Sequence, residues 1–258
     1  MTAEDRREAI VRAVLPLFAR NGFANTTTKE LAEAAGVSEA LIYKHFPSKD
    51  SLYAEIQKYG CKGCDPVLQK LTTLDPSTST LVYVLYYIMR ANIIGHGKEP
   101  ADLETRQRMM LNSCLEDGSF SRFWFHSRFA ENLARIEACM DAAESAGDMV
   151  KSPVTKQHRF LFVHHLAVMI AVMHLPEEPV IDYQVSKEQL VHEAMLFALR
   201  GLGLTDQAIG RYYSPKALAL FISDENLEGF LNKVSKHSLK HYVTQTKKYV
   251  SQIITNDH

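Results

Sequence analysis

What this sequence lacks narrows the field first. No run of about 18 apolar residues occurs, so no bilayer span is expected. The most apolar window, FLFVHHLAVMIAVMH at 160–174, is interrupted by histidines. The opening MTAEDRREAI is too charged for a signal peptide, which predicts a cytoplasmic chain with no membrane partner. Charge of either sign is also missing in bulk, since the net charge is −1. Any binding to nucleic acid must then use a local patch rather than a global basic footprint. Cysteine is scarce: Cys61, Cys64, Cys114 and Cys139 are expected to be reduced thiols rather than a disulfide framework. A nucleophile elbow, a phosphate loop and an HExxH motif are all absent. Catalysis would have to rest on scattered residues, so a helical enzyme or carrier is the least favoured class, and no cofactor is expected. Internal repeats and low-complexity tracts are missing too.

What is present is helix. The chain has 258 residues, 46% of them apolar, enough for one or two domains with a substantial core. Apolar residues recur at three- and four-residue spacing nearly everywhere, and strand-like alternation is scarce. The fold class is therefore all-α. Residues 3–21 carry Ile10, Val14, Leu17 and Phe18 on one stripe, with Pro16 expected to kink or loosen a turn and Gly22 to stop the helix. Thr27 and Glu30 have the spacing of a capping box. The short helix they start, KELAEAA, ends at Gly36. Ser38 is the next N-cap, and EALIYKHF runs to Pro47. Ser48 caps a fourth helix, with Asp50 in its first turn. KYGCKGCDP (58–66) then marks a boundary. Further helices are predicted over 67–74, 78–95, 101–116, 119–146, 153–174 and 186–203, then about 206–222, 225–236 and 237–254. The expected domains are 1–60, 61–204 and an additional C-terminal segment, 205–258.

The two short helices joined by AGVS have the form of a helix-turn-helix. Leu31, Ala32 and Ala35 are expected to face Leu41, Ile42 and Phe46, with Val37 plugging the turn. That leaves Ser38, Glu39, Ala40, Tyr43, Lys44 and His45 facing outward. The small residues permit close approach to base edges. The phenol, ammonium and imidazole suit phosphate oxygens. Lys49, Thr27 and Thr28 stand at helix starts, where free amides and the dipole favour an anion. A solvated bundle face is the plain alternative, but spacing, caps and charges agree on one negatively charged partner, double-stranded DNA.

These residues carry a family resemblance. LFARNGFANTTTKELAEAAGVSEALIYKHFPSKDSLY (17–53) closely resembles the N-terminal domain of tetracycline-repressor (TetR) family transcription regulators. The resemblance covers about 8–56. Carried over, it implies that Thr28, Ser38, Tyr43, Lys44, His45 and Lys49 contact DNA, and that Glu39, Ala40 and Leu41 occupy the base-reading positions. None of those three is basic. Glu39 can accept from cytosine N4 and Ala40 can meet a thymine methyl. The resemblance also implies a helical ligand-binding and dimerisation region after residue 60 and a homodimer. The segments 158–174 and 186–203, the latter striped by Leu190, Ala194, Phe197 and Ala198, lie where it places the dimer helices.

The second region shows no sharper signature. A pocket needs an apolar cavity with a few polar tips, and Tyr86, Tyr87, Asn92, Met109, Trp124, His126 and Phe129 are the candidates to line one. Simple packing is the competing reading for each. The favoured function is a DNA-binding repressor released by a small aromatic or amphipathic apolar effector. An activator or co-regulator controlled by a protein partner through 206–258 remains open. Cys61 and Cys64 form a C-x-x-C pair at the boundary, but a zinc site needs about four ligands and no second pair exists. Metal sensing, redox sensing and two small residues at a loosened junction are the readings of that pair. The basic C-terminal helix has an apolar side, and packing on the protein's own body is its favoured role.

Overall fold

The computed structural model describes residues 2–61, 71, 74–95, 100–128 and 130–222. Among them there is no strand, only an isolated bridge between Met149 and Leu204. The helices are α1 (Ala3–Asn21), α2 (Thr28–Ala35), α3 (Glu39–His45), α4 (Lys49–Cys61), α5 (Thr78–Ile93), α6 (Pro100–Leu115), α7 (Ser119–Arg128), α8 (Ala130–Ser145), α9 (Lys156–Val172), α10 (Lys187–Leu202), α11 (Asp206–Tyr212) and α12 (Pro215–Ile222). The all-helical expectation is met. The helices predicted over 225–236 and 237–254, most of 67–74, Cys64, the Cys61 side chain and Phe129 lie outside the described residues. No described helix is long and apolar enough to cross a membrane.

The chain divides into two compact units. One holds 1–64 and 97–131, the other 65–96 and 132–258. The first cut falls near the expected boundary at residue 60. Residues 97–131, expected in the second region, group with the N-terminal helices.

In the first unit, Thr2 caps α1 in a capping box with Asp5, whose carboxyl is held below its ordinary pKa by the Thr2 amide and hydroxyl. Helix α1 buries Ile10, Val11, Val14, Phe18 and Ala19. It runs through Pro16. Pro16 and the Arg12 carbonyl it leaves without an amide lie on the exposed face, where water can serve that oxygen. The core gathers Phe18, Leu31, Ile42, Phe46, Leu52 and Ile56, and α6 and α7 add Met109 and Phe120 to it. Asn112 of α6 donates from Nδ2 to the Ala19 carbonyl at 2.8 Å. Glu116, just past α6, accepts the Ala24 amide at 3.2 Å. The end of α1 is therefore held by side chains nearly a hundred residues away.

In the second unit, α5 is buried at every position except Arg90 and Asn92, and α9, α10, α11 and α12 pack on it. Arg159 is buried against the C-terminus of α10. It donates to the Leu202 carbonyl and, at 3.1 Å, to Glu144. Gly203 ends α10 in the left-handed region at φ 99°, where a side chain would be strained.

Two expectations need correction here. The helix predicted over 206–222 is two helices. Pro215 has no amide to continue the ladder and pushes Ser214 out of the helical region, so the chain breaks at Tyr213–Ser214 and restarts with Pro215 at the first helical position. Phe197 is not part of the buried stripe of α10. Leu190, Ala194 and Ala198 are buried, whereas Phe197 is 71% exposed, because the packed face is completed by Val191, Met195 and Leu199 on the other side. The predicted helix 119–146 is described as α7 and α8, on either side of Phe129.

Candidate nucleic-acid interface

The site is assembled by caps. Thr27 Oγ1 accepts the Glu30 amide at 3.3 Å, and Glu30 Oε2 accepts the Thr27 amide at 2.8 Å and its hydroxyl at 2.7 Å. These bonds, the backbone one first, hold the Glu30 carboxyl below its ordinary pKa. The predicted box is present, and the Thr27 hydroxyl is engaged within it. Gly36 closes α2 at φ 63° and ψ 35°, a conformation that glycine adopts without a side-chain penalty. The Val37 amide then reaches back to the Ala32 carbonyl at 3.0 Å. Ser38 Oγ accepts the Leu41 amide at 3.2 Å and starts α3.

Helix α3 has seven residues, too few to hold itself together in water. Tertiary contacts must fix it. Ile42 and Phe46 are buried in the core, and Leu41 is half-buried beside them. Ser38, Glu39, Ala40, Tyr43 and Lys44 are exposed, and His45 is half-buried. Tyr43 is 48% exposed, and its hydroxyl lies 3.1 Å from the Thr28 hydroxyl at the start of α2. Thr28, Tyr43 and the outward residues of α3 thus form one surface within the first unit. A phenol, an ammonium and hydroxyls stand over small residues there, which suits a polyanion.

Lys49 has a different setting from the one its position suggested. Its side chain turns inward, half-buried, and Nζ donates to the carbonyls of Phe23 at 2.8 Å and Thr26 at 3.0 Å. The ammonium also lies 4.3 Å above the Phe23 ring. It therefore ties α4 to the turn between α1 and α2.

Sequence reasoning missed Arg7. From α1 its guanidinium donates through Nη1 to the His45 carbonyl, donates through Nη2 to Glu55 of α4 at 3.3 Å, and lies 4.5 Å from the Phe46 ring centroid. The signal available was faint: Arg7 continues the spacing of Ile10, Val14 and Phe18.

The residues proposed to line an effector pocket fall in both units. Tyr86, Tyr87 and Asn92 belong to the second. Tyr86 and Tyr87 are buried, and Asn92 donates from Nδ2 to the Ile88 carbonyl at 2.8 Å, one turn back on its own helix. Around Tyr86 the structure adds two residues that composition did not flag. Its ring lies 6.4 Å from that of Tyr213, and the Tyr213 hydroxyl lies 3.1 Å from His192 Nδ1. Burial raises the pKa of both phenols. Met109, Trp124 and His126 belong to the first unit: Met109 is in its core, Trp124 is half-buried and His126 is exposed. Among the described residues, no group of three or more His, Cys, Asp or Glu could hold a metal ion.

A short exposed helix, capped at its start and set across a left-handed glycine turn from its partner, makes the first unit a helix-turn-helix DNA-binding domain. Residues 10–56 match the family described as bacterial regulatory proteins, tetR family. It is 38% identical over 55 residues to an uncharacterized HTH-type transcriptional regulator, YerO, of Bacillus subtilis, a match covering 21% of this chain and 19% of that protein. It is 41% identical over 54 residues to the HTH-type transcriptional regulator AcrR of Shigella flexneri, covering 21% of this chain and 25% of AcrR. The matches thus span about a fifth to a quarter of these relatives' length. The fold likeness runs further. A bacterial regulatory protein in the tetR family from Rhodococcus RHA1 superposes with a TM-score of 0.55 over 78% of this chain and 98% of that one, at 19% identity.

Proposed function

We propose that this chain is a transcriptional regulator, a repressor that binds a near-palindromic operator as a homodimer and leaves it when the second unit takes up a small apolar or aromatic effector. The observation that carries the reading is the outward face of α3, where Ser38, Glu39, Ala40, Tyr43 and Lys44 are exposed while Ile42 and Phe46 are buried. The base-reading positions are Glu39, Ala40 and the rim of Leu41. The phosphate contacts are Thr28, Ser38, Tyr43, Lys44 and His45, with Thr27 and Lys49 shaping the surface and offering what donors their internal bonds leave.

One α3 reaches only a few base pairs. A two-fold pair reads half-sites about 34–36 Å apart, or a multiple of that. The pairing surface is the outer side of α9 and α10. Phe162, Met169 and Phe197 are all more than half exposed there. Phe162 and Phe197 border a shallow hollow of about 200 Å³ lined also by Val163, Leu166 and Gly201. Exposed apolar side chains grouped in this way mark an interaction surface.

Effector response follows from linkage: a molecule that prefers the DNA-incompetent spacing weakens DNA binding by the same factor that DNA weakens its own. Chain continuity supplies a route. Helix α5 of the second unit precedes α6 in the chain, and Asn112 of α6, together with Glu116, holds the end of α1 and the turn before α2.

The test is in-vitro selection of duplexes by the full-length protein, followed by footprinting. A near-palindromic footprint lost in Tyr43→Ala and Lys44→Ala supports the reading. Failure to enrich any sequence overturns it. Relief of the footprint by a small molecule separates effector control from control by a protein partner.

A further inference from the structure

We propose that Arg7 is a positioning residue for the reading helix: it sets the tilt of α3 from beneath and does so without touching DNA. The inference rests on the DNA-binding reading above and adds a residue outside the helix-turn-helix itself.

The geometry joins three helices at one guanidinium. The last carbonyls of a helix have no partner within it and carry its partial negative charge. In α3 the terminal carbonyl, that of His45, accepts from Arg7 Nη1. Nη2 meets Glu55 Oε2 of α4 at 3.3 Å. The guanidinium lies 4.5 Å from the ring centroid of Phe46, the residue that caps α3. Lys58 reaches the same Glu55 oxygen at 3.8 Å, so the carboxylate is itself held in place. The planar, forked guanidinium reaches a carbonyl, a carboxylate and a ring together in a fixed geometry.

The consequence follows from the helix's size. Seven residues span roughly 10 Å. If α3 pivots at its Ser38 cap, a tilt of about 6° moves the His45 end by about 1 Å. That shift is enough to break hydrogen-bond geometry at Tyr43 and Lys44, whose contacts require distances within a few tenths of an ångström. The Ser38 cap fixes the near end and leaves the far end to Arg7 and Phe46.

The experiment compares Arg7→Gln, Arg7→Lys, Glu55→Gln and Lys44→Gln in the full-length protein. Affinity is measured by fluorescence anisotropy on a duplex selected by the wild type and on a scrambled duplex, each across a salt series. A lost phosphate contact lowers the slope of log K against log salt by about 0.9 per contact. Lys44→Gln should do so. Arg7→Gln should weaken the selected duplex about tenfold, the size of one hydrogen bond to a charged group. It should leave the slope unchanged and barely alter the scrambled duplex. Arg7→Lys should recover part of the loss, and Glu55→Gln should lose about threefold at unchanged slope. If Arg7→Gln does not fold, the last two variants carry the test. A reduced slope, an equal loss on both duplexes, or unaltered selectivity in every Arg7 and Glu55 variant overturns the proposal. A wild type that binds no duplex instead removes the DNA-binding reading on which it stands.

Discussion

Lys49→Met is the most informative perturbation of the first unit. Methionine keeps the length and most of the contact with Phe23 but removes the ammonium. The carbonyls of Phe23 and Thr26 then lose a donor at 2.8 and 3.0 Å. A hydrogen bond to a charged group contributes about 1.5–3 kcal/mol. Lys49 is half-buried and water can partly replace it, so the pair together is worth about 2–3 kcal/mol. A domain of about 100 residues loses roughly 4–8 °C in Tm per kcal/mol, so the first unit should melt roughly 10–20 °C lower. Trp124 is the chain's single tryptophan and lies on α7 in that unit, so its emission follows this transition within the full-length protein. A shift below about 3 °C would refute the internal role. Lys49 would then be free for phosphate, and the same variant should lower the salt slope of DNA binding.

His164 is buried, and burial, with His165 adding, brings its pKa from 6.5 down to about 4. The unfolded chain therefore takes up the proton first. The second unit keeps the full contribution above about pH 6.5 and loses it as pH falls toward 4, about 2 kcal/mol by pH 5. Circular-dichroism melts of wild type should show that loss, and His164→Phe should flatten it. Gly22 sits at φ 77°, and an added Cβ would lie 2.5 Å from Glu116 Oε1. Gly22→Ala should lower the Trp124 transition by about 2 kcal/mol or more, from backbone strain and loss of the Glu116 bond to Ala24. The double change Phe162→Asn and Phe197→Asn should shift sedimentation toward monomer with little change in Tm. A persistent dimer at micromolar concentration refutes the proposed pairing face.

The helix-turn-helix was legible because its signals are local. Thr27 with Glu30, Gly36, Ser38 and Pro47 each act within four residues, so spacing alone places α2 and α3. The outward face of α3 follows from period 3.6 once Ile42 and Phe46 are assigned inward. Arg7 and Lys49 were not legible, because their partners are backbone carbonyls of other helices, and a carbonyl has no sequence identity. Phe197 misled for a related reason. Helix α10 has apolar residues on two faces, and periodicity does not say which one meets α5. The grouping of 97–131 with the first unit depends on Asn112 and Glu116 meeting the end of α1, a long-range contact no pattern announces. Composition alone does not find effector-lining residues, because an aromatic residue reads the same whether it faces a cavity or a core.

These contacts bear on how regulation can work in a chain of near-zero net charge. Non-specific attraction to DNA scales with the cations presented to phosphate. Here Lys44 is the only exposed cation on α3, and Glu39 opposes it at the other end. The reading helix itself therefore has little electrostatic hold to fall back on when its contacts are imperfect. In the proposed homodimer, two copies engaged together gain because the second binds at high effective concentration, and that gain vanishes when geometry forbids simultaneous contact. An effector of the proposed kind does not need to damage the reading surface. On the proposed reading it needs only to change the spacing between two copies of α3, and internal ties such as Arg7 to His45 and Lys49 to the α1–α2 turn hold α3 within each copy.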